Sequence, residues 1–273
     1  MKPVAFDYHK ARDVGDALAV LGASDGDAKA VAGGCSLGPM LNLRLARPAK
    51  LIDLRAASEL RQLTRAPDRL TIGACWTHAE IEDGIVPDVT RGLMRKVASG
   101  IAYRPVRNRG TIGGSLAHAD PAADWVTTMA VLDAGILIGG RNGTRRESAL
   151  SFMTGAYATT LAADELVTAV EVPVLSEGAR WAYHKIARKT GEFALAIGAV
   201  VHDSTRDYAR VVCGAVEAPP LLLPRTSDAL RESPSAAMKI ADAEIDTLLS
   251  AHDGIFKQHH KVAIERALAE LSR

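Results

Sequence analysis

Residues 111–124, TIGGSLAHADPAAD, bring together two adjacent glycines, the hydroxyls of Thr111 and Ser115, and the carboxylates of Asp120 and Asp124. A second glycine pair lies in VAGGCSLG, residues 31–38. Adjacent glycines let a backbone turn freely and approach a bulky group, and the N–H groups freed by such a turn can wrap an anion. Each stretch alone reads first as a tight turn. Two of them in separate parts of one chain suit a diphosphate, which needs donors from more than one side. The expected local order at residues 111–124 is strand, glycine turn, helix. Asp120 is placed at the N-cap and Pro121 at the first position of a helix running to about 132.

Neither stretch has the GxGxxG spacing of the dinucleotide fingerprint, and the chain carries no Walker sequence. Asp120 and Asp124 could be an acid–base or metal pair, but helix capping and the helix dipole explain them as well. A carboxylate would be repelled by a diphosphate and attracted by sugar hydroxyls, which makes Asp124 a candidate sugar contact. Arg104, Arg107 and Arg109 could neutralise phosphate or could pair with surface acids. His118, His184, His259 and His260 have no ligand-like partners in the sequence. Cys35, Cys75 and Cys213 are far apart and form no CxxC, so neither a zinc site nor a disulfide framework is expected.

The elements that must position these residues are mixed. The chain has 273 residues, 48% hydrophobic and 24% charged, with a formal net charge of +1. Those values suit a globular protein with a full core and give no sign of a nucleic-acid partner. Aromatics at 4% also argue against base-stacking platforms. No apolar run reaches the about 20 residues needed to span a bilayer, and MKPVAFDYHKARD turns polar too early for a signal peptide. A cytoplasmic protein without a stable membrane anchor is expected.

Residues 1–55 read as helix 13–23 with Asp13 at its cap, a short strand running into glycines over 28–34, a strand at 50–54, and a short helix starting at Pro39. Residues 56–175 continue as α/β, with a strand at 69–74, an amphipathic helix over 89–100, paired strands in GILIGG and RRESAL, and a strand stopped by Pro173. Residues 176–273 carry three strand-like runs (179–187, 193–203 and 208–217) that suggest an antiparallel meander, and then two helices. Three domains with these bounds are expected.

Together, VAGGCSLGPMLNLR and RNRGTIGGSLAHADPAAD resemble the paired flavin motifs of the medium subunit of the molybdenum hydroxylases, the xanthine dehydrogenase and aerobic carbon monoxide dehydrogenase family. YHKIARKTGEFALAIGAVV resembles the start of that family's C-terminal domain. The resemblance implies a two-subdomain, PCMH-like FAD-binding fold, α+β and α/β in class, followed by an antiparallel three-stranded sheet with helices. It implies that Val31, Ala32, Gly33, Gly34, Cys35, Ser36 and Leu37, with Thr111, Ile112, Gly113, Gly114 and Ser115, clamp the FAD diphosphate through backbone N–H groups and hydroxyls. Asp124 falls on the family's acidic FAD contact, and Leu161, Lys185 and Phe193 fall near the flavin ring. Cys35 and Ser115 depart from the residues usual at their positions.

The implied function is electron transfer. The FAD-carrying subunit of a heterotrimer takes electrons from 2Fe-2S clusters on a small subunit, supplied by a molybdopterin-bearing large subunit, and passes them to an external acceptor. Two such clusters need four cysteine ligands each, and this chain has three cysteines, so the clusters belong to a partner. A dimer of heterotrimers is expected. The competing reading is a stand-alone flavin oxidase or reductase of the same superfold, which would need its own acid–base residues.

Overall fold

The computed structural model describes residues 2–272. Its first unit alternates strand and helix: β1 (Asp7–Lys10), α1 (Val14–Gly22), β2 (Ala28–Val31), α2 (Leu37–Asn42) and β3 (Lys50–Asp53). The strands form a parallel sheet in the order β1-β3-β2. Asp13 caps α1 as expected, accepting from the Asp16 N–H at 2.7 Å. Helix α2 begins two residues before Pro39, which therefore sits in the first turn, where its missing N–H is not needed. β1 was not foreseen. Its sequence DYHK is charged and largely exposed, so backbone pairing along the sheet edge defines it rather than an apolar pattern.

The second unit comprises β4 (Leu63–Arg65), β5 (Arg69–Gly73), α3 (His78–Glu82), α4 (Leu93–Ser99), α5 (Arg104–Arg107), α6 (Ile112–His118), α7 (Asp124–Val131), β6 (Gly135–Gly140), β7 (Gly143–Ser148), α8 (Ala149–Phe152), β8 (Met153–Gly155), β9 (Ala158–Thr159) and β10 (Leu166–Pro173). An antiparallel sheet runs β4-β5-β10-β6-β7, and β8 and β9 form a small hairpin. The α7 helix is buried along its whole length, with Trp125 and Met129 in the main core beside Phe152.

The C-terminal meander is β11 (Arg180–Ile186), β12 (Ala196–Asp203) and β13 (Tyr208–Gly214), and β14 (Leu221–Leu222) adds a short fourth strand to the three expected. Helices α9 (Pro224–Glu232), α10 (Pro234–Leu248) and α11 (Gly254–Leu271) cover it. Val211, Leu230, Ile245, Ile264 and Leu268 make a second core there. A Cβ on Gly198 would lie 2.4 Å from the Ala263 carbonyl oxygen, so α11 rests directly on the central strand. Sequence periodicity missed α9 because its buried face is mostly small and polar. Thr226 and Ser227 are buried there, and the Thr226 N–H and hydroxyl both donate to Glu244, at 2.7 and 2.6 Å.

Candidate functional site

The two glycine stretches meet at one cleft of about 820 Å³, within the ~300–1,000 Å³ typical of small-molecule and cofactor sites. Residues 31–37 line it as the turn from β2 into α2, and Thr111, Gly113, Gly114 and Ser115 line it from the start of α6. Leu161, Asp124, Lys185 and Phe193 complete the wall. Ile112 is the exception among the expected residues: its side chain is fully buried in the core and does not face the cleft.

The first loop has the features of an anion cradle. Gly34 has φ +72°, a conformation that favours glycine. At Gly33 a Cβ would lie 2.1 Å from the Arg109 carbonyl oxygen, so only glycine lets the two loops touch. Among the described residues, no protein group accepts from the backbone N–H groups of residues 32–37. Buried or half-buried N–H groups need acceptors, and here the cleft must supply them.

The second loop works differently from the expectation. Gly113 and Gly114 are not a turn before a helix; they lie in the first turn of α6, capped by Thr111, whose Oγ1 accepts from the Gly114 N–H at 3.1 Å. The Ile112, Gly113 and Ser115 N–H groups donate to Trp76, Ala74 and Thr111 carbonyls. Of the backbone N–H clamp inferred for residues 111–115, the groups of 112–115 are therefore already used inside the protein. What this loop offers the cleft is hydroxyls: Ser115, and the Thr111 hydroxyl proton, which is free because Oγ1 acts as acceptor. Gly113 is needed for packing, since its Cβ would meet that of Ala74 at 2.4 Å.

The helix expected at 121 starts at Asp124. Asp120 is not its cap; it accepts from the Ala122 N–H at 2.9 Å in a local turn, which delays the helix. Asp124, at the first position of α7, is buried with both oxygens engaged. Oδ1 accepts from the Tyr183 hydroxyl at 2.8 Å and Oδ2 from Lys185 Nζ at 2.9 Å. Burial pushes its pKa above the usual carboxylate range, against the pull of Lys185 and Tyr183. Each carboxylate oxygen has two lone pairs, so a further hydroxyl can still donate to it. Behind this triad a smaller cavity of about 360 Å³ is lined by Lys96, Trp181, His184 and Glu270.

Phe193 stands at the cleft rim, 64% exposed. Its loop is fixed at Gly191, where φ is +84° and a Cβ would meet the Ala102 carbonyl oxygen at 2.8 Å. Of the three arginines, Arg104 and Arg107 pair with Glu82 and Asp83. Arg109 donates to the Gly33 carbonyl at 3.2 Å, stitching the two loops together. For Arg104 and Arg107 the geometry supports charge pairing rather than phosphate neutralisation. His184 pairs with Glu270, and His260 is buried between backbone carbonyls. Cys35 is exposed at the loop, and partial desolvation of its thiol raises its pKa against the pull of Arg109.

One residue escaped the sequence reading. His78, 5% exposed, lines the cleft floor, and Trp125 Nε1 donates to its Nδ1 at 3.0 Å. Burial pushes its pKa down to about 4, so the ring is neutral. The sequence offers only WTHAE as a signal, and that serves locally as the capping box of α3, with Thr77 and Glu80 as its members. Nothing in the spacing pairs His78 with Trp125. Among the described residues, no group of three or more His, Cys, Asp or Glu is placed to hold a metal ion.

The fold sets a cofactor-sized cleft between two glycine loops and a C-terminal sheet, and the unengaged N–H groups of the first loop suit an anion. Residues 4–175 match the family described as the FAD binding domain in molybdopterin dehydrogenase, and the chain belongs to that family, the FAD-binding medium subunits of the molybdenum hydroxylases. The chain is similar to the carbon monoxide dehydrogenase medium chain of Hydrogenophaga pseudoflava, 39% identical over 74% of this chain and 70% of that one. It also resembles the 6-hydroxypseudooxynicotine dehydrogenase complex subunit alpha of Paenarthrobacter nicotinovorans, 33% identical over 93% of this chain and 82% of the relative. Among solved structures, reconstituted CO dehydrogenase from Oligotropha carboxidovorans superposes with a TM-score of 0.92 at 30% identity, covering 99% of each chain.

Proposed function

We propose that this chain is the FAD-carrying electron-transfer subunit of a molybdenum hydroxylase. The observation that carries the reading is the run of unengaged N–H groups at residues 32–37 along the cleft, in a loop that Gly33 lets pack directly on the Arg109 carbonyl. In this reading residues 31–37 hold the diphosphate by backbone N–H groups, with the hydroxyls of Thr111 and Ser115 opposite. Asp124, oriented by Tyr183 and Lys185, accepts from a sugar hydroxyl. Leu161, Lys185 and Phe193 border the flavin ring. When bound, FAD supplies the redox chemistry, and the protein supplies position, exclusion of water and electrostatics.

The partners in this reading are a small subunit with two 2Fe-2S clusters and a large molybdopterin subunit, assembled as a dimer of heterotrimers in the cytoplasm. Residues 1–55 and 56–175 are the two FAD-binding subdomains, and 176–273 the C-terminal domain. No helix among the described residues is long and apolar enough to cross a membrane. The direct test is to purify the chain with FAD and offer N-heterocycles, aldehydes and carbon monoxide. The flavin absorbance should stay unbleached by each of them until both partner subunits are added. Bleaching by the lone chain would instead make it a self-contained flavin enzyme.

A smaller effect is expected at Phe193. Its exposure predicts that Phe193→Ala leaves stability within about 0.5 kcal/mol. The same change should alter the visible absorption of bound flavin or its rate of reoxidation. An unchanged spectrum and rate would remove Phe193 from the ring-lining set.

A further inference from the structure

His78 is a buried polar side chain with one unanswered group. An indole N–H only donates, so the Trp125 bond makes Nδ1 the acceptor and leaves the proton of the neutral ring on Nε2. Among the described residues, nothing accepts from that Nε2–H. It faces the place where the two glycine loops meet: a Cβ on Gly110 would lie 2.6 Å from Nε2, and one on Gly33 would lie 2.9 Å from the Gly110 Cα. Cys35 Sγ approaches the Val106 carbonyl oxygen of the same junction at 3.7 Å. The His78 N–H is itself bonded to the Gly110 carbonyl at 2.9 Å, so backbone and ring hold one orientation. The donor opens onto the cleft, so an acceptor for it can come only from what the cleft holds.

We infer that His78 is a further binding residue, whose Nε2–H donates to an oxygen of the FAD diphosphate at the junction of the two glycine loops. The inference rests on the reading of the cleft as the FAD site. Trp125 is then a positioning residue: it follows Asp124 on α7, so one helix start orients both the sugar contact and this donor. No proton leaves the ring, because the histidine acts as a neutral donor of fixed tautomer.

The test uses the full chain freed of flavin and titrated by fluorescence with FAD and with riboflavin, which lacks phosphate. His78→Ala should weaken FAD roughly ten- to hundredfold, the range for a hydrogen bond to a charged acceptor, and leave riboflavin unchanged. His78→Gln, whose carboxamide can place an N–H near the same point, should regain most of the loss. In the unaltered chain, the 15N-resolved Nε2–H resonance of His78 should shift on saturation with FAD and stay in place with riboflavin. An unmoved resonance at FAD saturation, or equal weakening of both ligands by His78→Ala, overturns the inference alone. Failure of the unaltered chain to bind FAD overturns the inference and the cleft assignment together.

Discussion

Gly114→Val should give a folded protein that does not hold FAD. Gly114 lies in the first turn of α6, exposed to the cleft, and the nearest atom to an added Cβ is Thr111 Oγ1 at 2.8 Å. The strain falls on a capping hydroxyl, whose bond is worth about 1 kcal/mol, and part of that is offset because valine is a better helix former than glycine. The isopropyl group, however, occupies the space through which a diphosphate must reach the Thr111 and Ser115 hydroxyls. FAD affinity should fall by at least about a hundredfold, close to 2.7 kcal/mol, with the melting temperature nearly unchanged. Gly113→Val makes the contrast. Its side chain would run into Ala74, and overpacking of that kind costs about 1–3 kcal/mol or more, so stability and binding should fall together. Gly114→Val with FAD affinity within a few-fold of the unaltered chain would remove α6 from the site.

That the two glycine pairs shape the backbone was legible because glycine chemistry is local, and the structure brings both to one cleft. How each pair acts was not, because that depends on what the backbone meets in three dimensions. The first pair leaves its loop N–H groups unengaged. The second is drawn into a helix because Thr111 caps it and Trp76 and Ala74 take the N–H groups of Ile112 and Gly113. Asp120-Pro121 has the composition of a helix start, yet the Asp120 side chain closes its own turn and the Pro121 carbonyl accepts from Ala215, 3.2 Å away in the C-terminal unit. The meander was readable because β12 is almost wholly buried and apolar, while β1 and α9 carry polar residues whose partners are remote in sequence. His78 and Trp125 are 47 positions apart, and their bond exists only once α3 and α7 have packed.

Asp124→Ala should cost more in folding than in any direct contact with FAD. The substitution removes both acceptor oxygens at once, leaving the Lys185 ammonium, 15% exposed, without its carboxylate and the Tyr183 hydroxyl without its acceptor. Breaking a buried ion pair from one side typically costs about 3–5 kcal/mol, because the charge left behind stays desolvated. A domain of this size loses about 2–4 °C of melting temperature per kcal/mol, so a fall on the order of 10 °C is expected for the flavin-free chain. Adding Lys185→Met should recover most of that stability, since the unpaired charge is gone and a flexible apolar side chain fills the space. The double variant then isolates the sugar contact. Compared with Lys185→Met alone, it should bind FAD roughly ten- to hundredfold more weakly, the loss of a hydrogen bond to a charged acceptor. Thermal melts and FAD titrations of the four proteins close the cycle. If Asp124→Ala alone melts within about 2 °C of the unaltered chain, the Lys185 pair contributes little to the fold. If the double variant matches Lys185→Met in affinity, Asp124 only starts a helix and orients its neighbours.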